Sequence, residues 1–440
     1  MDDYVTLKKV APLYRCFFES DGTYFDISTN LTSMEAALES IESGSTQKYK
    51  EYMDTASAFL EFGLPNVIEE KLNTTRLPSF LRACLSSFPL TSHHSMLSTF
   101  FQSEKLRAAL SFQDLYIGLS PYEAPAIFSL LQALEFNEGI YYPIGGFQSI
   151  ANALEQIAID SGVRILYNSS VSGLKMSNMS GGIVEGVDIG HTNNEELNTM
   201  APMTDTALSA DFVVINQDLP QAEIDLIPPS AMENSATEKQ PSCGVVSLSF
   251  GFSTRLTPLQ HHNVFFSSDL YRSWDTVSSP DTSMFNSSSF NFYVHAPART
   301  DCSTCPEGHD AITVLVPVPP LSRSPSNEIK YDISQVREAV LQRLQCIPSM
   351  PADLASFIVT ETIRDPVRWK TEFGLFRGSA FGLSHPLSQL SFLRPRIRHP
   401  KLKNVYRVGA STRPGNGVPL VMIGAKIATE IILRAEGRNP

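Results

Sequence analysis

The chain of 440 residues lacks the sequence features of disulfide-rich, nucleic-acid-binding, secreted and membrane-spanning proteins. Six cysteines are too few for a disulfide framework in a chain of this length, which indicates a reducing compartment. The net charge of -12 offers no basic surface for phosphate contacts, so we expect no nucleic-acid partner. No apolar run reaches the roughly 18 residues that span a bilayer, and no apolar signal core opens the sequence. We therefore expect a cytoplasmic protein that is neither secreted nor an integral membrane protein.

Patterns that bind metal or carry redox chemistry are also scarce. Adjacent histidines at 93–94 and 261–262 are expected to point apart on a helix or a strand, which is poor spacing for metal ligands. One Cys-x-x-Cys pair, Cys302 and Cys305, lies in a segment of Asp, Pro and Gly without the strand-to-helix context of a redox pair. The sequence therefore predicts no metal site.

Apolar residues are plentiful at 42% of the chain, whereas charged residues make up 18%, so the chain can bury cores in two or three domains. Alternating runs separated by turn residues predict strands over residues 14–27 and across 244–318. Helix formers with apolar repeats predict helices over 33–138. Residues 147–157 repeat at helical spacing, and the apolar segment 163–167 after them is predicted to be a strand. The pattern indicates a mixed α/β fold.

The C-terminal region, residues 405–433, has the pattern of a short strand, a turn rich in glycine and proline, and a helix. The turn "GASTRPGNGVP" contains Gly409, Gly415 and Gly417, which allow backbone amides to face a ligand where the helix begins. A tight turn without a ligand would use the same glycines. This stretch alone leaves both interpretations open.

Several segments together resemble the bacterial and fungal phytoene desaturases, which are FAD-dependent carotenoid dehydrogenases. The likeness covers nearly the whole chain and is carried by "LRAALSFQDLYIGLSPYEAPAIFSLLQALEFNEGIYYPIGGFQSI", "FYVHAPARTD", "GLFRGSAFGLSHPLSQLSFLRPR" and the C-terminal turn. It implies an amine-oxidase-like flavoprotein fold. Residues 1–32 and 221–393 would form a β-rich substrate domain, 33–141 a helical insertion, and 142–220 with 394–440 a discontinuous FAD-binding domain.

The resemblance also implies a flavin site at the C-terminal turn, which in this family closes over the isoalloxazine end of FAD. The residues of that turn are Gly409, Ala410, Pro414, Gly415, Gly417, Val418 and Pro419. Val171 is the position whose main chain meets the adenine. Arg413 stands where many members have His, so a protonation role is not carried over to it.

Candidate catalytic residues come from two segments. Glu104 and Arg107 lie in the helical part that adjoins the substrate in this family, although a solvated pair three residues apart on a helix is the alternative. His385 and Arg394 precede the flavin turn closely enough to lie near the cofactor. We therefore take Glu104, Arg107 and His385 as the candidates for catalysis.

Members of the family begin with a strand, a G-x-G-x-x-G turn and a helix, and this motif is not found in the sequence. The motif seats the pyrophosphate of the dinucleotide at a helix N-terminus. We therefore expect an incomplete Rossmann-type domain, and a chain that as given binds FAD weakly or not at all and does not desaturate phytoene. Adding a segment of the family type is expected to restore both.

The resemblance implies desaturation of phytoene or a related isoprenoid, in which a hydride leaves an allylic carbon for the flavin and a proton leaves the neighbouring carbon. Such an apolar polyene requires an apolar tunnel and peripheral contact with the membrane in which it dissolves. Two alternatives stay open. One is a flavoprotein of the same fold that oxidises another apolar metabolite, and the other is a truncated binding protein without activity.

Overall fold

A computed structural model describes residues 4–63, 91–177, 182–191, 207–233, 237–277, 279, 285, 289–323 and 332–438. The strands are β1 (Leu7–Val10), β2 (Tyr14–Phe18), β3 (Thr23–Ile27), β4 (Ile140–Pro143), β5 (Ser169–Met176), β6 (Val184–His191), β7 (Ala207–Ser209), β8 (Val213–Ile215), β9 (Gly244–Phe252), β10 (His262–Phe266), β11 (Phe292–His295), β12 (Asp310–Val318), β13 (Ile358–Arg364) and β14 (Val405–Arg407). The helices are α1 (Leu31–Ile41), α2 (Ser45–Gly63), α3 (His93–Phe100), α4 (Glu104–Ala109), α5 (Leu130–Glu138), α6 (Phe147–Asp160), α7 (Leu219–Asp225), α8 (Ile333–Gln345), α9 (Pro366–Phe373) and α10 (Val418–Ala435). The predicted mixed α/β class is confirmed.

The large sheet, as far as the described residues define it, runs in the order β13-β9-β12-β11-β10-β2-β3. Its neighbours are antiparallel except for β10 and β2, which pair in parallel with Val264 opposite Cys16. Alternate side chains of each strand enter two different cores because successive residues of a strand point to opposite faces. Cys16 and Phe18 belong to the first core and Phe17 to the second.

The first core lies between the large sheet and a layer of helices. Each helix of that layer contributes at least one buried side chain: Leu38 of α1, Tyr52 of α2, Leu97 of α3, Leu106 of α4 and Ala133 of α5. Two helix starts are fixed by serine caps, since Ser92 accepts from Ser95 N and Ser103 from Leu106 N. The helical layer is therefore packed on one face of the sheet, with α8 on the other face.

A smaller unit is built from the C-terminal strand and the middle of the chain. β14 pairs in parallel with β8, with Val405 opposite Val213, and α10 follows directly after the glycine-rich turn. Arg407 on β14 is buried and donates to Glu223 of α7 at 3.0 Å and to Glu233 at 2.9 Å. This buried ion pair fixes β14, and with it the start of the turn, against α7.

The structure departs from the sequence-based expectations in several places. Residues 163–167, predicted to be a strand, form a turn and irregular backbone, and the strand begins at Ser169 instead. Val163 and Tyr167 are more than half exposed, so their apolar character does not reflect a place in a sheet. β4, β7, β10 and β13 were not predicted, since the strand patterns in the region 244–318 cover only 244–252, 290–297 and 311–319.

Two further expectations, a surface loop in the middle of the chain and the domain boundaries, are not fully tested by the described residues. The polar segment 190–209 was predicted to be a surface loop: residues 192–206 lie outside the described residues, whereas Ala207–Ser209 form β7, which pairs with β6. The domain boundaries at residues 32, 141, 220 and 393 stay predictions. Among helices within the described ranges, none has the length and apolar character that crossing a bilayer requires.

Candidate active site

The turn between β14 and α10 has a backbone that only glycine adopts without strain. Gly409, Gly415 and Gly417 have φ angles of 112°, 155° and 95°. Gly417 caps α10 and has no side chain with which to bond the first N–H groups of this 18-residue helix. Since the first N–H groups of a helix have no partner within it, they can bind an electronegative edge of a ligand.

Arg394 ties this turn to the segment that precedes it. Its guanidinium is buried, with 1% exposure, and donates to the carbonyls of Thr412 at 3.0 Å and Ala410 at 2.6 Å on the turn. It also donates to Ser384 O at 3.1 Å and Leu383 O at 2.9 Å. Burial lowers the pKa of Arg394 to about 9, and Asp218 opposes that shift. Arg394 is therefore a structural support of the turn, one layer behind its ligand-facing backbone.

A second set of hydrogen bonds, made by Ser411, also holds the turn in place. Its hydroxyl donates to Asp218 Oδ1 at 2.5 Å and accepts from Leu383 N at 3.1 Å. Asp218 also accepts from Phe376 N at 2.9 Å, and burial raises the pKa of this carboxyl. The turn is thus held on both sides by the segment 376–385.

His385 lies against the glycine turn. Its Nδ1 is 3.4 Å from Ile117 O, whereas its Nε2 is buried and makes no hydrogen bond to any described residue. Burial lowers the pKa of His385 well below its ordinary value, so the ring is neutral. A buried nitrogen without a partner beside a cradle of glycines fits a site for the polar edge of a planar ring. The residues of this turn therefore suit a flavin.

An apolar cavity of about 170 Å³ is lined by residues next to those that contact the turn, although none of its described lining residues belongs to the turn itself. It lies between the large sheet and the 3-10 segment Phe112–Ile117 of the helical layer. Its lining includes Phe112, Leu115, Tyr116, Val264, Phe266, Trp274, Tyr293, Leu315 and Phe381. Phe381 is followed by Gly382, where an added β-carbon would lie 2.6 Å from Ser411 Oγ. One end of the cavity therefore abuts the turn.

Asn416 joins the turn directly to the wall of this cavity. Its side-chain amide donates to Tyr116 O, and His385 contacts the next carbonyl, that of Ile117. The cavity wall and the turn are consequently one hydrogen-bonded unit. An apolar substrate in the cavity and a ring held by the turn would be neighbours.

The remaining sequence-predicted residues lie elsewhere. Arg107 donates to Glu104 at 2.7 Å, Glu104 is 54% exposed, and neither residue is among those that line the cavity. Their catalytic role stays a prediction. Val171 lies on β5, an outer strand of the sheet formed by β5, β6 and β7, and is 39% exposed. Its contact with adenine stays a prediction as well.

The sequence analysis missed a buried polar chain behind the cavity. Tyr14 OH lies 3.2 Å from Tyr116 OH and donates to Glu135 Oε1 at 2.8 Å. Gln113 donates to Glu135 Oε2 at 3.1 Å. Burial raises the pKa of Glu135 to about 7, although the hydrogen bonds from Tyr14 and Gln113 oppose the shift. The local signal was a pair of polar residues, Gln132 and Glu135, within the mostly apolar "LLQALEF".

The histidines at 261–262 do not point apart as expected. Their rings lie 4.5 Å apart, and His295 Nε2 is 3.1 Å from His261 Nε2. His261 stands before β10, where strand alternation does not apply. Burial lowers the pKa of His261 to about 3 and that of His295 to about 4. Among the described residues, no group of three His, Cys, Asp or Glu side chains has the geometry to hold a metal ion.

A larger cavity of about 490 Å³ lies away from the turn. Phe17, Phe265 and Arg343 line it, and Phe17 and Phe265 belong to the second core. It is therefore on the far side of the large sheet from the helical layer. The smaller cavity is the one that hydrogen bonds connect with the glycine-rich turn.

Comparison with known proteins agrees with this arrangement. The sequence profile of the flavin containing amine oxidoreductases matches residues 1–431. The chain is 35% identical over 447 residues to a zeta-carotene-forming phytoene desaturase of Myxococcus xanthus, covering 98% of this chain and 80% of that protein. It is 32% identical over 456 residues to a phytoene desaturase of Fusarium fujikuroi, covering 98% and 76%.

The solved structures add the fold. An oxidoreductase from Methanosarcina mazei superimposes with a TM-score of 0.58 at 14% identity, covering 97% of this chain and 82% of that one. At this identity the likeness concerns the fold alone, and it confirms the expected amine-oxidase-like flavoprotein fold. The chain belongs to the flavin-containing amine oxidoreductase family, and within that family it is a member of the phytoene desaturase group.

Proposed function

We propose that the protein is a FAD-dependent desaturase that removes two hydrogens from adjacent carbons of phytoene or a related isoprenoid. The observation that carries this proposal is the hydrogen bond from Asn416 to Tyr116 O, which joins the glycine turn to an apolar cavity. The relatives named as phytoene desaturases support the same substrate class.

The residues that would hold the flavin are those of the turn. Backbone groups of Gly409, Ala410, Gly415 and Gly417 and the start of α10 face the site, and His385 offers a neutral ring nitrogen. When bound, FAD supplies the hydride acceptor of the reaction. Arg394 keeps the turn in one conformation, so the site is formed before a ligand arrives.

The cavity supplies orientation and excludes water. Its lining is mostly aromatic and aliphatic, which suits a hydrocarbon chain and leaves few polar atoms to retain water. A volume of about 170 Å³ is below the roughly 300–1,000 Å³ of ordinary ligand sites. We infer that it holds one segment of a long polyene next to the flavin, while the rest of the substrate extends beyond it.

We also propose peripheral contact with a membrane, because a hydrocarbon substrate reaches the enzyme from a bilayer. The apolar residues of α3 and α4 do not provide that contact, since Met96, Leu97 and Leu106 are buried in the first core. Flotation of the purified protein with liposomes is the direct measurement. Protein that stays at the bottom of the gradient would contradict the proposal.

The test of the proposed function uses the chain as given and the chain extended by a segment of the family type, each with added FAD and phytoene in liposomes. Because the sequence predicts weak FAD binding by the chain as given, we expect the extended chain to retain flavin absorbance and to move the phytoene spectrum to longer wavelength as conjugation extends. Boiled protein and protein without FAD are the controls. Flavin retention without any change in phytoene would point to a different substrate, whereas loss of both would overturn the proposal.

A further inference from the structure

The apolar cavity has two tyrosines in its wall, Tyr116 and Tyr293. Both are partly exposed, whereas Tyr14 behind them is only 3% exposed. None of the described lining residues of the cavity carries a carboxylate, an imidazole or an amine. Within the described lining, hydroxyl groups are therefore the side-chain groups best suited to carry away a proton released inside this cavity.

The hydrogen bonds behind Tyr116 have a defined direction. Tyr14 has one hydroxyl proton and donates it to Glu135 Oε1 at 2.8 Å, so its oxygen is the acceptor for Tyr116, 3.2 Å away. The side chains therefore form the sequence Tyr116, Tyr14, Glu135, in which each hydroxyl donates toward the carboxylate. A proton that enters at Tyr116 can move to Glu135 by short transfers along existing hydrogen bonds.

A second set of hydrogen bonds ends at the same carboxylate. Gln113 Nε2 donates to Glu135 Oε2 at 3.1 Å, and Gln113 Oε1 accepts from Gln132 at 2.7 Å. Gln132 Oε1 in turn accepts from Tyr52 at 3.2 Å. Donors thus converge on Glu135 from both sides, which is the arrangement that stabilises an ionised acceptor in a half-buried position.

We propose that Tyr116, Tyr14 and Glu135 form a relay that carries away the proton released when the substrate is desaturated. The inference rests on the proposed function and assigns its proton-accepting group. One C–H bond loses its hydrogen and both electrons as a hydride to FAD, which is the oxidant. The adjacent C–H bond loses a proton to Tyr116 Oη, and its electron pair becomes the new double bond. Tyr116 passes its own proton to Tyr14, Tyr14 passes its proton to Glu135, and the carboxylate becomes a carboxylic acid.

The protonation equilibrium of Glu135 supports this role. Burial brings its pKa to about 7, so both forms are populated near neutral pH and the acceptor can be reset between turnovers. The titratable groups that face the relay are Tyr293, whose hydroxyl bonds to His262, and Cys16 close to Tyr116. Burial raises the pKa of Tyr293 and Cys16 and lowers that of His262, so all three stay neutral around pH 7.

The first measurement compares turnover of phytoene by Glu135→Gln with that by Glu138→Gln. Glu138 lies on the same helix and is exposed, which makes it the matched control. We expect Glu135→Gln to lower kcat by roughly 100-fold with little change in KM, and the pH dependence of kcat near neutrality to disappear. Tyr116→Phe should give a similar loss, whereas Tyr271→Phe, at a residue that is 64% exposed, should not.

The second measurement does not depend on turnover. Infrared difference spectra recorded during a pH titration should show a carboxylic acid band that is lost around pH 7 and is absent in Glu135→Gln. Tyr14→Phe removes a hydrogen bond to the ionised form and should raise the midpoint of that band. Thermal unfolding of each variant separates a lost relay from a lost fold.

The outcomes separate this inference from the proposed function. Wild-type protein that converts phytoene while Glu135→Gln keeps its full kcat would overturn the relay alone. A folded Tyr116→Phe protein with wild-type kcat would do the same. If neither the chain as given nor the chain extended by the family-type segment converts phytoene, the proposed function is overturned and the relay with it, even if the infrared band titrates as expected.

Discussion

Gly415 and His385 are in such close contact that no other residue fits at position 415: a β-carbon there would lie 2.6 Å from His385 Nε2. The φ angle of Gly415 is also positive, which other residues adopt only with strain. The two residues together define the surface on which we place the flavin. This contact leads to the first prediction.

Gly415→Ala should weaken FAD binding by at least roughly tenfold, which corresponds to about 1.4 kcal/mol. The added methyl group has to displace His385 or the turn, and either movement alters the cradle. Gly22→Ala is the matched control, because Gly22 has a φ of 68° with nothing within 4 Å of the added carbon. Fluorescence titration with FAD measures both variants, and equal affinities would show that the cradle does not bind the flavin.

Arg394→Lys should destabilise the protein by about 3 kcal/mol and weaken FAD binding. Lysine cannot reproduce the planar fork that reaches carbonyls on both the turn and the segment 383–384, so buried acceptors lose their donors. Arg398→Lys, at an exposed residue that donates to Lys403 O, should change stability by less than about 0.5 kcal/mol. Urea unfolding of both variants, with and without FAD, tests this difference.

The stability of the protein should depend on pH through Glu135. Its pKa is raised in the folded state from an ordinary value of 4.5 to about 7, so the folded protein binds more protons than the unfolded chain between these values. Stability contributed by this group therefore falls as pH rises through that window, by roughly 3 kcal/mol in total. We expect Glu135→Gln to lose this part of the pH dependence. Urea unfolding at ~pH 5 and ~pH 8 measures it, and parallel curves for the two proteins would contradict the expectation.

Leu115→Trp should block the apolar cavity without disturbing the flavin. Leu115 is partly exposed and lines the cavity of about 170 Å³, so a larger ring occupies the space proposed for the substrate. Leu134→Trp, at a residue of α5 that is 37% exposed and is not among the lining residues, is the control. We expect turnover of phytoene to fall at least roughly tenfold in Leu115→Trp alone, with FAD affinity unchanged. Equal turnover by both variants would place the substrate elsewhere.

Local sequence patterns were sufficient to predict the elements whose conformation depends on neighbouring residues in the chain. The glycines and prolines of the turn, the apolar repeat of α10 and the alternation of β9 and β12 all correspond to the structure. The segment 163–167 has the composition of a strand but no place in a sheet, because strand formation depends on a partner that local sequence does not specify.

The polar chain behind the cavity could not be predicted for a related reason. Glu135 and Tyr14 are separated by 121 positions and meet only when α5 packs on the large sheet. A Glu within an amphipathic helix is normally assigned to the solvent face, so the helical pattern argues against burial. His261 was misjudged because the alternation rule was applied one residue before the strand begins.

The parallel pairing of β2 with β10 also bears on how the chain is made. β2 ends at Phe18, and its partner strand ends at Phe266. At ribosomal rates of about 5–20 residues per second, the partner emerges on the order of 10 to 50 s later. During that interval the edge of β2 in the hairpin of β2 and β3 has no partner strand, and Phe17 and Phe18 lie on its two faces. The nascent chain should therefore need chaperone protection early in synthesis, well before the turn that we assign to the flavin has left the ribosome.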